Sequence, residues 1–196
     1  MNTQINLKKL APYAVAGAAI AAGITLWSEA QSGLPKGAIV VNNFEINSYL
    51  GQWYEIARFN YRFEKGLQNV TAHYSLNKNG TVKVINRGQE ISTGRWREST
   101  GKAKFAGEEN IGMLKVSFFG PFYAAYNVIA IADDYQHALV AGKNLDYLWL
   151  LSRAPEMPDA VRNSFLQKAW AIGYDVGKLV WTQQQAADEM PIPTVS

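Results

Sequence analysis

The sequence predicts an all-β domain of eight short antiparallel strands, arranged as a sandwich or as an up-and-down barrel, with one helix after the last strand. Between Gly51 and Arg153 the chain consists of short runs rich in β-branched and aromatic residues, separated by turn residues. No helix-length segment lies between these runs, which excludes the alternation of strand and helix that a parallel sheet needs. A helical pattern occurs only afterwards, from Pro158 to Gly173.

The composition is typical of a single exported or soluble domain with a real core. Of the 196 residues, 48% are hydrophobic and 12% aromatic, and a chain of this length can bury roughly 70% of its unfolded surface. There is no cysteine, which excludes a thiolate nucleophile, Cys-ligated zinc, an iron–sulfur cluster and the residue that carries the lipid of a bacterial lipoprotein. The formal charge of +3 is spread singly along the chain and does not indicate a nucleic-acid partner.

Residues 1–30 predict an export signal. Lys8 and Lys9 precede an uncharged apolar stretch from Leu10 to Trp27, and a small residue, Ala30, stands before a possible cleavage point. The alternative is an uncleaved anchor, because a stretch of this length is just enough to cross a bilayer core of about 30 Å. Both alternatives place the rest of the chain outside the cytoplasm.

The strands are predicted in the order in which they follow one another. They cover residues 51–59, 69–76, 81–87, 95–99 with 102–105, 113–118, 125–132, 137–141 and 147–152. Turn-forming residues separate them at 77–80, 92–94, 107–110, 133–134 and 143–144. In the second strand Tyr74 and Leu76 share one face while His73 and Ser75 share the other. Such alternation predicts a sheet with one apolar and one wetted face.

The C-terminal part of the chain predicts a helix that packs on the sheet. It begins at Pro158-Asp159, repeats apolar residues at helical spacing and ends at Gly173. The run 148–151 is apolar on both faces and is its expected partner. A further strand is predicted at 179–182, and the tail 185–196 is predicted to be disordered.

Two short motifs frame the strand region. Gly51-Gln52-Trp53 opens the first predicted strand, and Arg153 follows the last. With the segments 53–59 (Trp-Tyr-Glu-Ile-Ala-Arg-Phe) and 115–123 (Lys-Val-Ser-Phe-Phe-Gly-Pro-Phe-Tyr), these motifs resemble the lipocalins, especially the bacterial outer-membrane lipocalins and apolipoprotein D. The resemblance implies an eight-stranded up-and-down barrel over 34–184 with the helix packed outside. It also implies that Gly51, Trp53 and Arg153 are structural, the arginine stacking on the tryptophan at the closed end.

The resemblance further implies a cup for one small apolar ligand inside the barrel. The expected lining residues lie on the predicted inward faces: Tyr74, Leu76, Val82, Val84, Trp96, Phe105, Leu114, Val116, Phe118, Tyr126, Val128 and Leu139. At the mouth, Arg62 and Lys65 in the loop 60–69 are candidates for binding an anionic head group. The alternative is that these two are solvated loop charges.

These observations favour a lipid-binding carrier for fatty acids or lysophospholipids in the envelope of a Gram-negative bacterium. We expect it in the periplasm or at the outer membrane, not lipid-anchored through Cys, with membrane association possible through 8–27 and a homodimer possible from the family. Neither cofactor nor metal is expected, because His73 and His137 lack metal-ligand spacing. Two alternatives remain: an enzyme on a lipocalin scaffold that acts on a captured lipid, and a structural protein whose barrel is filled by its own side chains.

Overall fold

Nine antiparallel strands form one closed sheet in the computed structural model, which describes residues 33–59 and 66–185. Strands β1 to β8 pair in chain order and β1 pairs again with β2, which closes the barrel. This confirms the predicted eight-stranded up-and-down barrel and decides against the sandwich. The elements in order are α1 (Ile46–Tyr49), β1 (Gly51–Phe59), β2 (Leu67–Leu76), β3 (Val82–Glu90), β4 (Trp96–Phe105), β5 (Met113–Ser117), β6 (Ala124–Ile131), β7 (His137–Ala141), β8 (Leu148–Ser152), α2 (Asp159–Ile172), a 3-10 helix (Val176–Lys178) and β9 (Leu179–Trp181).

Several predictions lie outside the described residues. They concern the export signal or anchor at 1–30, the loop cations Arg62 and Lys65, and all of the predicted tail 185–196 except its first residue. In the part of the chain that the structure describes, no helix combines the length and the apolar character needed to cross a bilayer.

Strand β4 is continuous, although the sequence suggested a break near Gly101. Gly101 pairs with Val84 of β3 within an unbroken register. A Cβ atom at this position would lie 2.7 Å from the carbonyl oxygen of Ser117 and 2.8 Å from the ring of Phe118. The glycine therefore marks a close approach of the neighbouring strand and not a turn.

Most buried apolar side chains belong to two clusters on opposite sides of the barrel wall, and Leu67 and Val70 form a small third one. The inner cluster fills the closed end and lines the cup; its buried members are Phe44, Tyr49, Trp53, Tyr74, Val82, Val84, Ala103, Leu114, Val116, Val128, Ala138, Val140 and Leu151. The outer cluster lies between the wall and α2 and includes Ile56, Ile129, Leu139, Leu148, Leu150, Phe165, Ala169 and Tyr174. Strand β8 contributes to both clusters, as expected from its run of apolar residues.

Helix α2 begins and ends where the sequence predicts. Gly173 closes it with φ +108°, a left-handed conformation that glycine adopts without a steric penalty. Its buried residues, Phe165 and Ala169, are one turn apart and both belong to the outer cluster. The helix therefore lies outside the barrel and leaves the interior free.

The C-terminal segment completes the wall where β1 and β2 separate. Their pairing covers Gly51 to Tyr54 of β1, and β9 pairs with the later residues 57–59 of the same strand. Between these two pairings, the side-chain amide of Gln184 donates to the carbonyl oxygens of Glu55 in β1 and Val70 in β2, at 2.8 and 2.9 Å. This segment therefore joins the two strands through side-chain bonds.

Candidate ligand-binding cup

The end of the barrel where β1 begins is closed by a stacked arginine. The guanidinium of Arg153 lies 3.9 Å from the ring centre of Trp53, which is fully buried. It also donates hydrogen bonds to the carbonyl oxygens of Gln52 (2.7 Å), Ser48 (2.8 Å) and Tyr135 (3.3 Å). The cation thus ties together β1, the chain before it and the β6–β7 turn across this end of the barrel.

Gly51 is required by this arrangement. Its φ of +92° lies in the region that other residues rarely adopt, and a Cβ atom there would be 3.3 Å from Nη1 of Arg153. The sequence signature Gly-x-Trp therefore has a direct steric origin, because the glycine leaves room for the arginine that covers the tryptophan.

Above the closed end the barrel interior contains a small cavity of about 30 Å³ that is partly open to solvent. A water molecule in the liquid occupies about 30 Å³, so a larger ligand enters this cavity only if the lining side chains move apart. The wall is mainly apolar, and its residues are Ile46, Tyr49, Tyr74, Val82, Val84, Asn86, Ala103, Leu114, Val116, Phe118 and Tyr126. The apolar character of this wall suits an acyl chain.

The structure brings most of the residues proposed from the sequence to the cavity or next to it. Tyr74, Val82, Val84, Leu114, Val116, Phe118 and Tyr126 line it. Phe105 and Val128 belong to the same inner cluster without lining the cavity. Phe105 packs towards the closed end, with its ring centre 6.3 Å from that of Phe44.

Leu139 was predicted to line the cup, but its side chain does not face the cup. Strand β7 places Ala138 and Val140 in the inner cluster and Leu139 in the outer cluster beside α2. The four residues after His137 in this strand are all apolar, so no alternation of polar and apolar residues indicates which face points inward.

Trp96 and Leu76 were also predicted to line the cup, and the structure places both elsewhere. Trp96 falls on the face of β4 opposite to Ala103, which lines the cavity, and the guanidinium of Arg87 lies 4.3 Å from its ring centre. Leu76 shares a face with Tyr74 but is the last residue of β2, two positions beyond the partner of Gly51. It extends past the closed end and is 52% exposed.

Sequence reasoning missed four residues of the wall: Ile46, Tyr49, Asn86 and Ala103. Ile46 and Tyr49 belong to the short helix α1, which precedes the first strand and was not predicted. Asn86 is a polar residue two positions after Val84 on an inward face, so an interrupted apolar alternation was the available signal.

Three tyrosines meet at the floor of the cavity. The hydroxyl of Tyr126 lies 2.6 Å from that of Tyr49 and 3.0 Å from that of Tyr74. Burial raises the pKa of Tyr74 to about 12, and burial also holds the pKa values of Tyr49 and Tyr126 well above the usual 10. We call these residues the tyrosine triad; its phenols are neutral at physiological pH.

Two polar atoms on the inner face have no hydrogen-bond partner in the described structure. They are Oδ1 of Asn86 and Oγ of Ser99, both removed from solvent. Asn86 and Ser99 are directly opposite each other in the β3–β4 register, so both side chains lie on the same face. Buried polar atoms are nearly always paired, which makes these two candidates for contact with a ligand.

An ion pair lies nearer the open end on the same face. Arg97 and Glu90 form a salt bridge, and alternation along β3 and β4 places them on the face of Val84 and Ala103. Hydrogen bonds from Thr93 and Arg97 lower the pKa of Glu90, so its carboxylate is ionised at neutral pH. Among the described residues, this pair is the charged group best placed to meet a ligand's polar head.

Metal-binding side chains are not clustered within 33–59 and 66–185. No group of three or more His, Asp or Glu residues there could hold a metal ion. His73 is exposed and His137 is half-buried.

Comparison with known proteins identifies relatives over most of the chain. Residues 44–184 match the family model described as a lipocalin-like domain. The outer membrane lipoprotein Blc of Escherichia coli K12 is 54% identical over 150 residues, which cover 76% of this chain and 85% of that protein. Mouse apolipoprotein D is 32% identical over 154 residues, covering 74% and 79%. Insecticyanin from the tobacco hornworm Manduca sexta has a similar fold, with a TM-score of 0.64 at 19% identity over 79% of this chain and 88% of its own.

Proposed function

Because this chain belongs to the lipocalin family, we propose that it binds one long-chain lipid, a fatty acid or a lysophospholipid, inside its barrel and acts as a lipid carrier of the bacterial envelope. The apolar cavity is the observation that supports this most directly. Each methylene buried in such a site contributes about 0.8 kcal/mol, so an acyl chain supplies ample affinity without specific chemistry. The alternative, a barrel filled by its own side chains, predicts no saturable lipid binding.

The polar head of the lipid would lie at the mouth. Arg97 can bind a carboxylate or phosphate, and Glu90 beside it can accept a hydrogen bond from an ammonium or hydroxyl group. A pair of opposite charges therefore suits a zwitterionic lysophospholipid head at least as well as a carboxylate. Arg62 and Lys65 remain predictions for the same role.

Binding rather than catalysis is part of this proposal. The polar side chains that line the described cavity are three phenols and one amide. The raised pKa values of the phenols keep them from acting as bases near neutral pH. The alternative, an enzyme acting on a captured lipid, therefore has no candidate base in the described wall.

The envelope location rests on the relatives. Proteins 44 to 54% identical to this chain carry the name outer membrane lipoprotein, and residues 1–30 have the character of an export signal. This chain has no cysteine, so we propose an envelope protein that is not anchored through a Cys-linked lipid.

Titration of the purified protein with octadecanoic acid and with a lysophosphatidylethanolamine tests the proposal. Saturable 1:1 binding at micromolar concentration, followed by tryptophan fluorescence and native mass spectrometry, is the expected result. If neither lipid gives saturable binding, the carrier function is wrong.

Two neighbouring substitutions provide a matched control for the site. Val84→Phe fills the cavity and should weaken binding at least tenfold. Ile85→Phe adds similar bulk to the opposite face of the same strand and should leave the affinity unchanged. Equal affinities for the two variants would place the lipid outside the cup.

A further inference from the structure

The tyrosine triad has one more hydrogen than its own hydrogen bonds use. Its three hydroxyls form two bonds, from Tyr126 to Tyr49 and to Tyr74. No other hydrogen bond reaches these hydroxyls from the residues that the structure describes. Whichever way the hydroxyls are turned, one O–H therefore remains undonated. All three residues line the cavity, so this hydrogen is available to a bound molecule.

An unpaired acceptor lies above this donor. Oδ1 of Asn86 is buried without a hydrogen-bond partner among the described residues, and Asn86 lines the same cavity. It is two residues after Val84, whose register partner is Tyr74. Two residues of a strand span about 7 Å, so the acceptor is one inward position closer to the open end than the triad.

The floor suits a neutral group and not a charged one. Burial raises the pKa values of all three tyrosines, which shows how strongly this site disfavours charge. The nearest cation of the closed end, Arg153, stacks on Trp53 and already donates to three backbone carbonyls. Arg153 does favour a negative charge at Tyr49 and Tyr74, but burial outweighs it, so a neutral group is favoured over a carboxylate at the floor.

We propose that the cup selects lipids whose chain carries a neutral oxygen function, a hydroxyl or oxo group, at the depth of the tyrosine triad. The inference rests on the proposed function, because it requires an acyl chain in the cup. A plain hydrocarbon leaves the O–H of the triad and Oδ1 of Asn86 unpaired. A hydroxyl group accepts from the triad and has its own hydrogen to donate towards Asn86, and such buried pairing is the usual basis of strong discrimination.

The test compares octadecanoic acid with octadecanoic acids that carry one hydroxyl at successive chain positions. Affinities for the purified full-length protein are measured by displacement of a fluorescent fatty acid. We expect a narrow range of hydroxyl positions to bind about threefold to tenfold tighter than the parent acid. Other positions should bind more weakly than the parent, because their hydroxyl is buried against apolar side chains.

The triple variant Tyr49→Phe/Tyr74→Phe/Tyr126→Phe locates the effect. It keeps the rings and removes all three hydroxyls together, a change that is close to neutral for folding because no partner is left unpaired within the triad. The preference for the hydroxylated acid should disappear while octadecanoic acid binds at least as tightly as before. Tyr135→Phe, a tyrosine at the closed end outside the cavity lining, should retain the preference. If the triple variant does not fold, Asn86→Leu replaces it: this change removes the unpaired Oδ1 to which the ligand hydroxyl would donate and should reduce the preference.

The outcomes separate this inference from the function on which it rests. Saturable binding of octadecanoic acid without a gain at any hydroxyl position overturns the inference and leaves the carrier function intact. Failure of every acid to bind overturns both. A gain that survives in the triple variant shows that the triad is not the recognition site.

Discussion

The closed end and the cavity are adjacent parts of one interior, yet they differ in whether their polar groups have hydrogen-bond partners. At the closed end, Nε1 of Trp53 donates to the carbonyl of Tyr49 at 2.8 Å and the guanidinium of Arg153 reaches three carbonyls. In the cavity, one O–H of the tyrosine triad and Oδ1 of Asn86 have no partner in the described structure. Paired polar groups stabilise the fold, whereas unpaired ones cost stability and are available to a ligand.

Tyr49 is the boundary between the two parts. Its ring centre is 4.8 Å from that of Trp53, and its hydroxyl belongs to the tyrosine triad. Changes below this residue should therefore affect stability and spare ligand preference, and changes above it should do the reverse. The following predictions test that division.

The largest effect is expected from Trp53→Ala. Trp53 is fully buried, and removing a buried aromatic side chain generally costs about 3 to 5 kcal/mol. Urea denaturation followed by circular dichroism measures the change. Trp170→Ala is the matched control, since Trp170 is 72% exposed on α2, and it should change the free energy of unfolding by less than about 0.5 kcal/mol. Similar losses for both variants would contradict the assignment of Trp53 to the closed end's core.

The second-largest effect is expected from Arg153→Ala. The free energy of unfolding should fall by about 2 to 4 kcal/mol, because the change removes a stacked cation and three hydrogen bonds. The folded protein should keep its lipid preference. Arg162→Ala is the control: this half-buried surface arginine also lies over a tryptophan, Trp181, at 5.5 Å, and its loss should cost less than about 1 kcal/mol. An Arg153→Ala protein as stable as the parent, or one with an altered lipid preference, would contradict the expectation that changes on the closed-end side of Tyr49 affect stability and not ligand preference.

The smallest effect is expected from the triple phenylalanine variant. At pH 7 its free energy of unfolding should lie within about 1 kcal/mol of the parent. Above pH 10 the free energies of unfolding of the parent and the triple variant should differ. The pKa of Tyr74 is raised to about 12 in the folded state and those of Tyr49 and Tyr126 are also raised, so the unfolded chain loses these protons first.

The parent should therefore lose stability between about pH 10 and 12, while the variant loses less. Urea denaturation at pH 8, 10 and 11 measures the difference, and Tyr135→Phe should follow the parent. Identical pH dependence of the parent and the triple variant would show that the triad is not buried.

The fold could be predicted largely because its signals are local. Alternating runs, turn residues and the Gly51 and Trp53 motif are each read within a few positions, and the strand bounds differ from prediction by only a few residues. The cup was predictable where one face is apolar and the other polar, as at Tyr74 and Leu114. It was not predictable in β7, where Leu139 and its neighbours are apolar on both faces. Trp96 was misplaced because a large aromatic residue does not by itself indicate the inward face.

By itself, the sequence determined the order and kind of the elements and the apolar character of the interior, since these depend on periodicity and on residue type. The role of Arg153 at the closed end was implied by the resemblance to the lipocalins. Only the tertiary structure decided which faces point inward, that Tyr49 from a helix outside the barrel strands joins Tyr74 and Tyr126, and that Asn86 has a buried oxygen without a partner. These features arise between residues 25 to 77 positions apart in the chain, and their meeting depends on barrel closure and strand register, which no local pattern records.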